Sequence, residues 1–236
     1  DALSIEFGNK SGNRRLYVSF ADVSWLVRPG DLADEHARSA CFSHYGLQRA
    51  SLLFGSNFIR QLSLAQGEDR LGFTVMFEFT PSGQFVSSGF FRSLLRVDLR
   101  LSAEEADLAS SRKHTGLAQL LGEIDWACQA ARSTSQPQTR FIDARGAGRA
   151  GRMVEQAMIA AKEHIARFFE RHGAPVIYKV HTEPRPELVQ GLLDDMARSG
   201  IEASAEDLKD SARFARFMSC LYEQGHSAQF YRLLDL

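Results

Sequence analysis

Cysteine is scarce in this chain of 236 residues: Cys41, Cys128 and Cys220 lie far apart, with no Cys-x-x-Cys pair. An odd, sparse count argues against a disulfide framework and a zinc site and suits a reducing compartment. Each cysteine is expected to be a small buried apolar residue. No apolar run approaches the ~18 residues that a membrane-spanning helix needs. An excess of positive charge is also missing, with 28 Lys and Arg against 29 Asp and Glu and a net charge of −1. The broad basic field of many nucleic-acid binders is therefore absent. A neutral total is still compatible with an enzyme that threads one strand through an internal channel, where only local positive charge is required. The sequence contains no Gly-rich phosphate loop, no His-Glu-x-x-His and no Gly-x-Ser-x-Gly. It shows no internal repeat and no low-complexity tract. The seven histidines are scattered.

With 44% hydrophobic and 24% charged residues, the composition is that of a folded domain with a sizeable core. The chain begins at Asp1 and closes on the apolar Leu233-Leu234-Asp235-Leu236. Both ends read as cuts through a longer chain.

The first hundred residues read as β-rich. Alternation over 15–20 predicts a strand, joined to a first strand over 2–7 by a turn at Asn9–Asn13. Residues 21–27 continue the sheet or turn a corner. Pro29-Gly30 stops them, and a helix over 31–45 follows with Asp31 as N-cap. Residues 71–79 and 84–97 flank Pro81-Ser82-Gly83 and predict the clearest hairpin. Beyond residue 101 the pattern is mainly helical. Ser102 with Glu105 forms a capping box, and helices are predicted over 114–131, 152–171, Pro186–Ser199 and about 205–223. Residues 132–151 read as a loop and 176–180 as a short strand. The apolar stripe of the 152–171 helix, at three- and four-residue spacing, reads as core. The fold class is α+β, with a mixed or antiparallel sheet first and helices packed around it, in one domain.

From residue chemistry alone, Asp1 opens a strand and Asp22 closes one. Two carboxylates at strand ends suit a divalent cation, and they equally suit plain solvation.

The order of segments adds a resemblance. Asp1-Ala2-Leu3 resembles the tail of the Asp-x-Asp-Asp-Ala-Leu motif of the ribonuclease II/R family. Tyr17-Val18-Ser19-Phe20-Ala21-Asp22-Val23-Ser24 is similar to that family's Tyr-Val-His-Ile-Ala-Asp-Val-Ser. Leu62-Ser63-Leu64 with Asp69-Arg70-Leu71 resembles its Cys-Ser-Leu and Asp-Arg-Leu block. Val154-Glu155-Gln156-Ala157-Met158-Ile159-Ala160-Ala161 is similar to Val-Glu-Glu-Ala-Met-Ile-Ala-Ala. Tyr178-Lys179-Val180-His181 resembles Tyr-Arg-Val-His. With Arg28-Pro29-Gly30 and the helix after it, six blocks stand in order along nearly the whole chain.

What the resemblance implies is a partial RNB-type catalytic domain over 1–236. It would be a cytoplasmic 3′-to-5′ exoribonuclease that hydrolyses single-stranded RNA to nucleoside 5′-monophosphates with Mg²⁺. Asp1 is carried over as the catalytic metal ligand. The family's other acidic residues would precede it, and the family's arginine near the scissile phosphate would follow Leu236, so this stretch alone is expected to be nearly inactive. Glu155, Gln156, Lys179, His181 and Asp22 are carried over as RNA-contacting positions. Each also has a plainer reading: exposed helix residues for Glu155 and Gln156, strand-end packing for Lys179 and His181, turn ordering for Asp22. Arg140, Arg145, Arg149 and Arg152 read as a solvated basic loop. Flanking OB-fold RNA-binding domains are expected in the longer chain.

Departures from the family pattern accompany these matches. Ser19 stands where the family usually has His, Ala103 replaces a Tyr associated with the terminal nucleotide, and Lys162 replaces an Asn. Loss of one aromatic stacking partner weakens hold on an RNA end by ~1–3 kcal/mol per base. A non-catalytic RNA-binding relative of the same fold is therefore the alternative.

Overall fold

The structure, a computed structural model, describes residues 1–8, 12–45, 50–112, 115–135, 148–178 and 185–209, with 213, 217, 220 and 221. The paired segments predicted at the start become β1 (Ala2–Phe7) and β2 (Arg14–Ala21). The predicted hairpin becomes β5 (Asp69–Phe79) and β6 (Phe85–Arg96). Together they form one antiparallel sheet in the order β1-β2-β5-β6. Alternation sends Leu16 and Val18 of β2 and Val75, Phe77 and Phe79 of β5 to one face, where all five are buried. Leu3, Ile5, Phe20, Phe73 and Phe90 pack around them.

Between the hairpins lie α1 (Val23–Leu26), α2 (Leu32–Ala40), a two-residue pair β3 (His44–Tyr45) and β4 (Ala50–Ser51), and α3 (Ser56–Leu62). After the sheet come α4 (Ala103–Ser111), α5 (Gly116–Ser135), α6 (Gly148–Arg171), α7 (Pro186–Arg198) and α8 (Ala205–Lys209). The architecture is α+β, as the sequence predicts. The α5–α6 contact is made by small residues. Ala127, Cys128 and Ala131 on one helix and Ala157, Ala160 and Ala161 on the other are fully buried, and all belong to one core with the sheet. Short side chains let the helix axes approach closely, so the face read as core is core apart from the exposed Val154. A second apolar cluster, Leu192, Met196, Ile201 and Leu221, gathers α7 and the residues after it.

The caps follow the sequence. Ser102 Oγ accepts from Glu105 N (3.1 Å), and Ser102 N donates to Glu105 Oε2 (2.7 Å). Asp31 Oδ1 accepts from Asp34 N (2.8 Å). Gly200 closes α7 with φ +74°.

Five expectations are corrected or narrowed. Of the two expectations for residues 21–27, the corner holds: the ladder ends with Asp22 N donating to Leu71 O (3.1 Å), and Val23–Leu26 form α1. The second helix stops at Ala40 rather than residue 45: Cys41 adopts φ +63°, and Phe42 N closes a tight turn onto Ala40 O (2.8 Å). Residues 176–178 lie outside any strand, since no described strand runs beside them to complete a ladder, and Lys179 and Val180 lie outside the described residues. Only Cys128 is buried; Cys41 and Cys220 are exposed, and all three thiols are free. Of the 132–151 loop, residues up to Ser135 continue α5, and α6 starts at Gly148.

Candidate functional site

The site is assembled by the pleat of the sheet. Leu3, Val18, Val75 and Phe90 form one cross-strand row under the helices. Two residues further along each strand, on the same face, the next row holds Phe20, Phe73 and Arg92, in direct register. Asp1 lies one residue beyond the Ala2–Ser19 pair, which sets it alongside Phe20 at the β1 end of that row. The row thus reads carboxylate, phenyl, phenyl, guanidinium, from one sheet edge to the other. Asp1 is exposed.

One step beyond, Asp22 ends β2 and is 8 % exposed. Both its carboxylate oxygens are engaged in a closed triangle. Arg92 Nε donates to Oδ2 at 3.0 Å, Ser24 Oγ donates to Oδ1 at 2.6 Å, and Arg92 Nη2 donates to Ser24 Oγ at 2.7 Å. A buried carboxylate without such partners would be strongly disfavoured. Next to the triangle, a hollow of ≈ 190 Å³ is lined by Trp25, Leu26, Leu62, Leu71 and Leu94 with Asp69. Trp25 and Leu94 are exposed there.

On α6, Glu155 and Gln156 are half-buried between Met153 and Ala157. Gln156 Oε1 is buried and meets no hydrogen-bond donor among the described residues. The start of this helix is held by neighbouring helices: Asp107 Oδ1 accepts from Ala150 N (2.7 Å), and Arg149 Nη2 pairs with the buried Asp125 at 2.7 Å. Further along, His164 packs edge-on against Phe77 with ring centroids 5.6 Å apart, and its Nδ1 lies 3.4 Å from Ser88 Oγ. Burial, and then the positive charges of Arg171 and Arg167, hold the His164 imidazole below its ordinary pKa.

The structure therefore brings Asp1 and Asp22 to one end of the sheet and puts Glu155 and Gln156 on α6. Lys179 and His181, like Arg140 and Arg145, lie outside the described residues. Arg149 of the expected basic loop belongs instead to α6 and pairs with Asp125. Arg92 is the residue that sequence reading missed. Its one signal was a charge at an inward position of the alternating stretch Phe90-Phe91-Arg92-Ser93-Leu94.

Paired divalent ions require several carboxylates around them. Among the described residues no group of three or more His, Cys, Asp or Glu is arranged to hold an ion. Asp22 is committed to Arg92, which leaves Asp1 as a single carboxylate at the row's end. The residues present do not by themselves complete a metal centre.

The RNB domain model matches residues 1–232. Among curated proteins, the chain is similar to ribonuclease R of Aquifex aeolicus (strain VF5), with 31% identity over 227 residues, covering 82% of this chain and 31% of that protein. The chain thus spans about a third of that relative's length. Among solved structures, it resembles Mycoplasma genitalium RNase R in complex with ribose-methylated single-stranded RNA. The TM-score is 0.78 at 17% identity, over 99% of this chain and 40% of the other. It also resembles yeast Ssd1, described as a pseudonuclease, with TM-score 0.74 and 15% identity over 98% of this chain and 31% of the other. At these identities the two structures speak for the fold alone.

Proposed function

Because the chain belongs to the RNB domain family of ribonucleases, we propose that it forms the body of a 3′-to-5′ exoribonuclease. The enzyme would hydrolyse single-stranded RNA to nucleoside 5′-monophosphates in the cytoplasm. The observation that carries this reading is a family match over residues 1–232, on a fold shared with an RNase R that was solved with single-stranded RNA.

In this reading the 3′ end of the strand lies at the Asp1 end of the sheet. Asp1 is a catalytic ligand of Mg²⁺, together with carboxylates that the described residues do not contribute. The ion would offset the charge that grows on the phosphate oxygens. Glu155 and Gln156 serve the terminal nucleotide; the carbonyl oxygen of Gln156, buried and unpaired among the described residues, suits a donor brought by a ligand. Lys179 and His181 lie along the strand's path. Asp22 takes its part through the guanidinium it holds. OB-fold RNA-binding domains flank this one in the longer protein.

A second reading is favoured by the departures from the family pattern at Ser19, Ala103 and Lys162, and a protein described as a pseudonuclease shares the fold. In that reading the domain binds RNA and does not cut it.

Both are tested by expressing the gene product at its full genomic length and incubating it with labelled poly(A), with and without Mg²⁺. The nuclease reading expects mononucleotides only with Mg²⁺, and a fall on the order of 100-fold or more in Asp1→Asn with RNA binding retained. Binding without cleavage selects the second reading. Absence of salt-dependent RNA binding refutes both.

A further inference from the structure

We infer that Arg92 holds an internal backbone phosphate of the RNA strand whose 3′ end lies at Asp1. The inference rests on the RNA reading above and assigns it a residue.

Arg92 and Asp1 end the same cross-strand row, on the same face. Three strand spacings of about 4.8 Å separate them, so their Cα atoms lie roughly 14 Å apart. That distance is too long for both to serve one phosphate and short enough for both to serve one strand. Phe20 and Phe73 fill the row between them, so it carries no other charge. Sugar and base can cross them without displacing an ion pair.

The guanidinium is also prepared for such a contact. Its side chain is 63 % exposed, yet it is oriented from below by the 8 %-exposed Asp22 and by Ser24. Of an arginine's five N–H donors, that triangle occupies one on Nε and one on Nη2. The remaining three engage no described residue. A planar fork already fixed on a buried carboxylate loses little rotamer freedom when an anion arrives. An arginine needed only to neutralise Asp22 would gain nothing from standing over half exposed at the row's open end.

The test is a scan of fluorescein-labelled oligoadenylates in which one phosphate at a time, counted from the 3′ end, is a neutral methylphosphonate. Binding to the full-length gene product is measured by anisotropy in EDTA. The wild type is expected to lose roughly tenfold or more in affinity at one internal position. R92Q binds the unmodified strand more weakly by a similar factor and becomes indifferent to that one substitution. It stays sensitive at the others, and its salt slope falls by about one. R92K, which keeps the charge and loses the fork, falls between. Should R92Q fail to fold, the scan on R92K decides by whether the penalty at that position shrinks. An R92Q protein with wild-type affinity and an unchanged scan overturns the inference and leaves the RNA reading standing. A wild type that binds RNA but ignores every methylphosphonate overturns the inference as well, and one that binds no RNA overturns the RNA reading itself.

Discussion

Gly148 opens α6 with φ +64°, and an added Cβ would fall inside the van der Waals envelope of the Asp107 carboxylate. That carboxylate reaches across from α4 because it caps the helix, accepting from Ala150 N at 2.7 Å. Two separable penalties follow for Gly148→Ala. The left-handed backbone costs about 1–2 kcal/mol for a residue with a Cβ. The clash adds more, because it forces Asp107 off the Ala150 amide and sacrifices a cap worth about 0.5–2 kcal/mol. Asp107→Ala alone loses only the cap. In the double variant the clash no longer exists and the cap is lost once, so Gly148→Ala should there cost only its backbone share. The double-mutant cycle is therefore expected to show a coupling of about 0.5–2 kcal/mol, with the double variant more stable than the sum of the singles. Equilibrium urea unfolding of all four proteins, followed by far-UV circular dichroism, measures it. Additivity within ~0.3–0.5 kcal/mol would show that the carboxylate does not fill the space over Gly148, and the account of how α6 starts would fail.

The rest of the molecule offers three further tests. The His164 imidazole is held below its ordinary pKa, first by burial and then by Arg171 and Arg167. The unfolded chain therefore binds the proton more readily, and the stability contributed by neutral His164 should be present above about pH 6.5 and be lost as the pH falls toward the folded-state value. His164→Phe should flatten that part of the stability–pH profile; an unchanged profile would place the acid sensitivity elsewhere. The Cys128 thiol is pushed up to about 12, first by burial and then by the charge of Asp125, whereas Cys41 and Cys220 are exposed. Iodoacetamide at pH 8 should then label Cys41 and Cys220 in the folded protein and reach Cys128 only on unfolding, as peptide mapping would reveal. Phe77 is 1 % exposed, between the sheet and His164. Phe77→Ala should lower stability by about 3–5 kcal/mol in urea unfolding, and a loss under ~1 kcal/mol would mean that the helices do not seal this face.

Local rules carried most of the fold from the sequence. Alternation over 15–20 and 71–79 is a property of the pleat itself, so it located β2 and β5. The Ser102 and Asp31 caps act over three residues and needed no tertiary knowledge. The order of six family-like blocks pointed to the RNB domain, which matches residues 1–232. Residues 21–27 left the reading with two alternatives, and residues 176–178 misled it, for the opposite reason. Their apolar character suits a strand, but a strand exists only where a neighbour completes its ladder, and no local pattern reports that neighbour.

The site divides along the same line. That Asp1 and Asp22 stand at the ends of strands was written in the chain. That Arg92, ninety-one positions after Asp1, shares a row with it, and that Asp22 is spent on holding that arginine, was decided by the pairing of β1 with β2, β2 with β5 and β5 with β6. Cross-strand register is a long-range property, fixed by the joint burial of Leu3, Val18, Val75 and Phe90 against the helices. A slip of one residue would turn each of those side chains out of the core. Sequence determines which side chains are available. Only the packed sheet determines which of them meet.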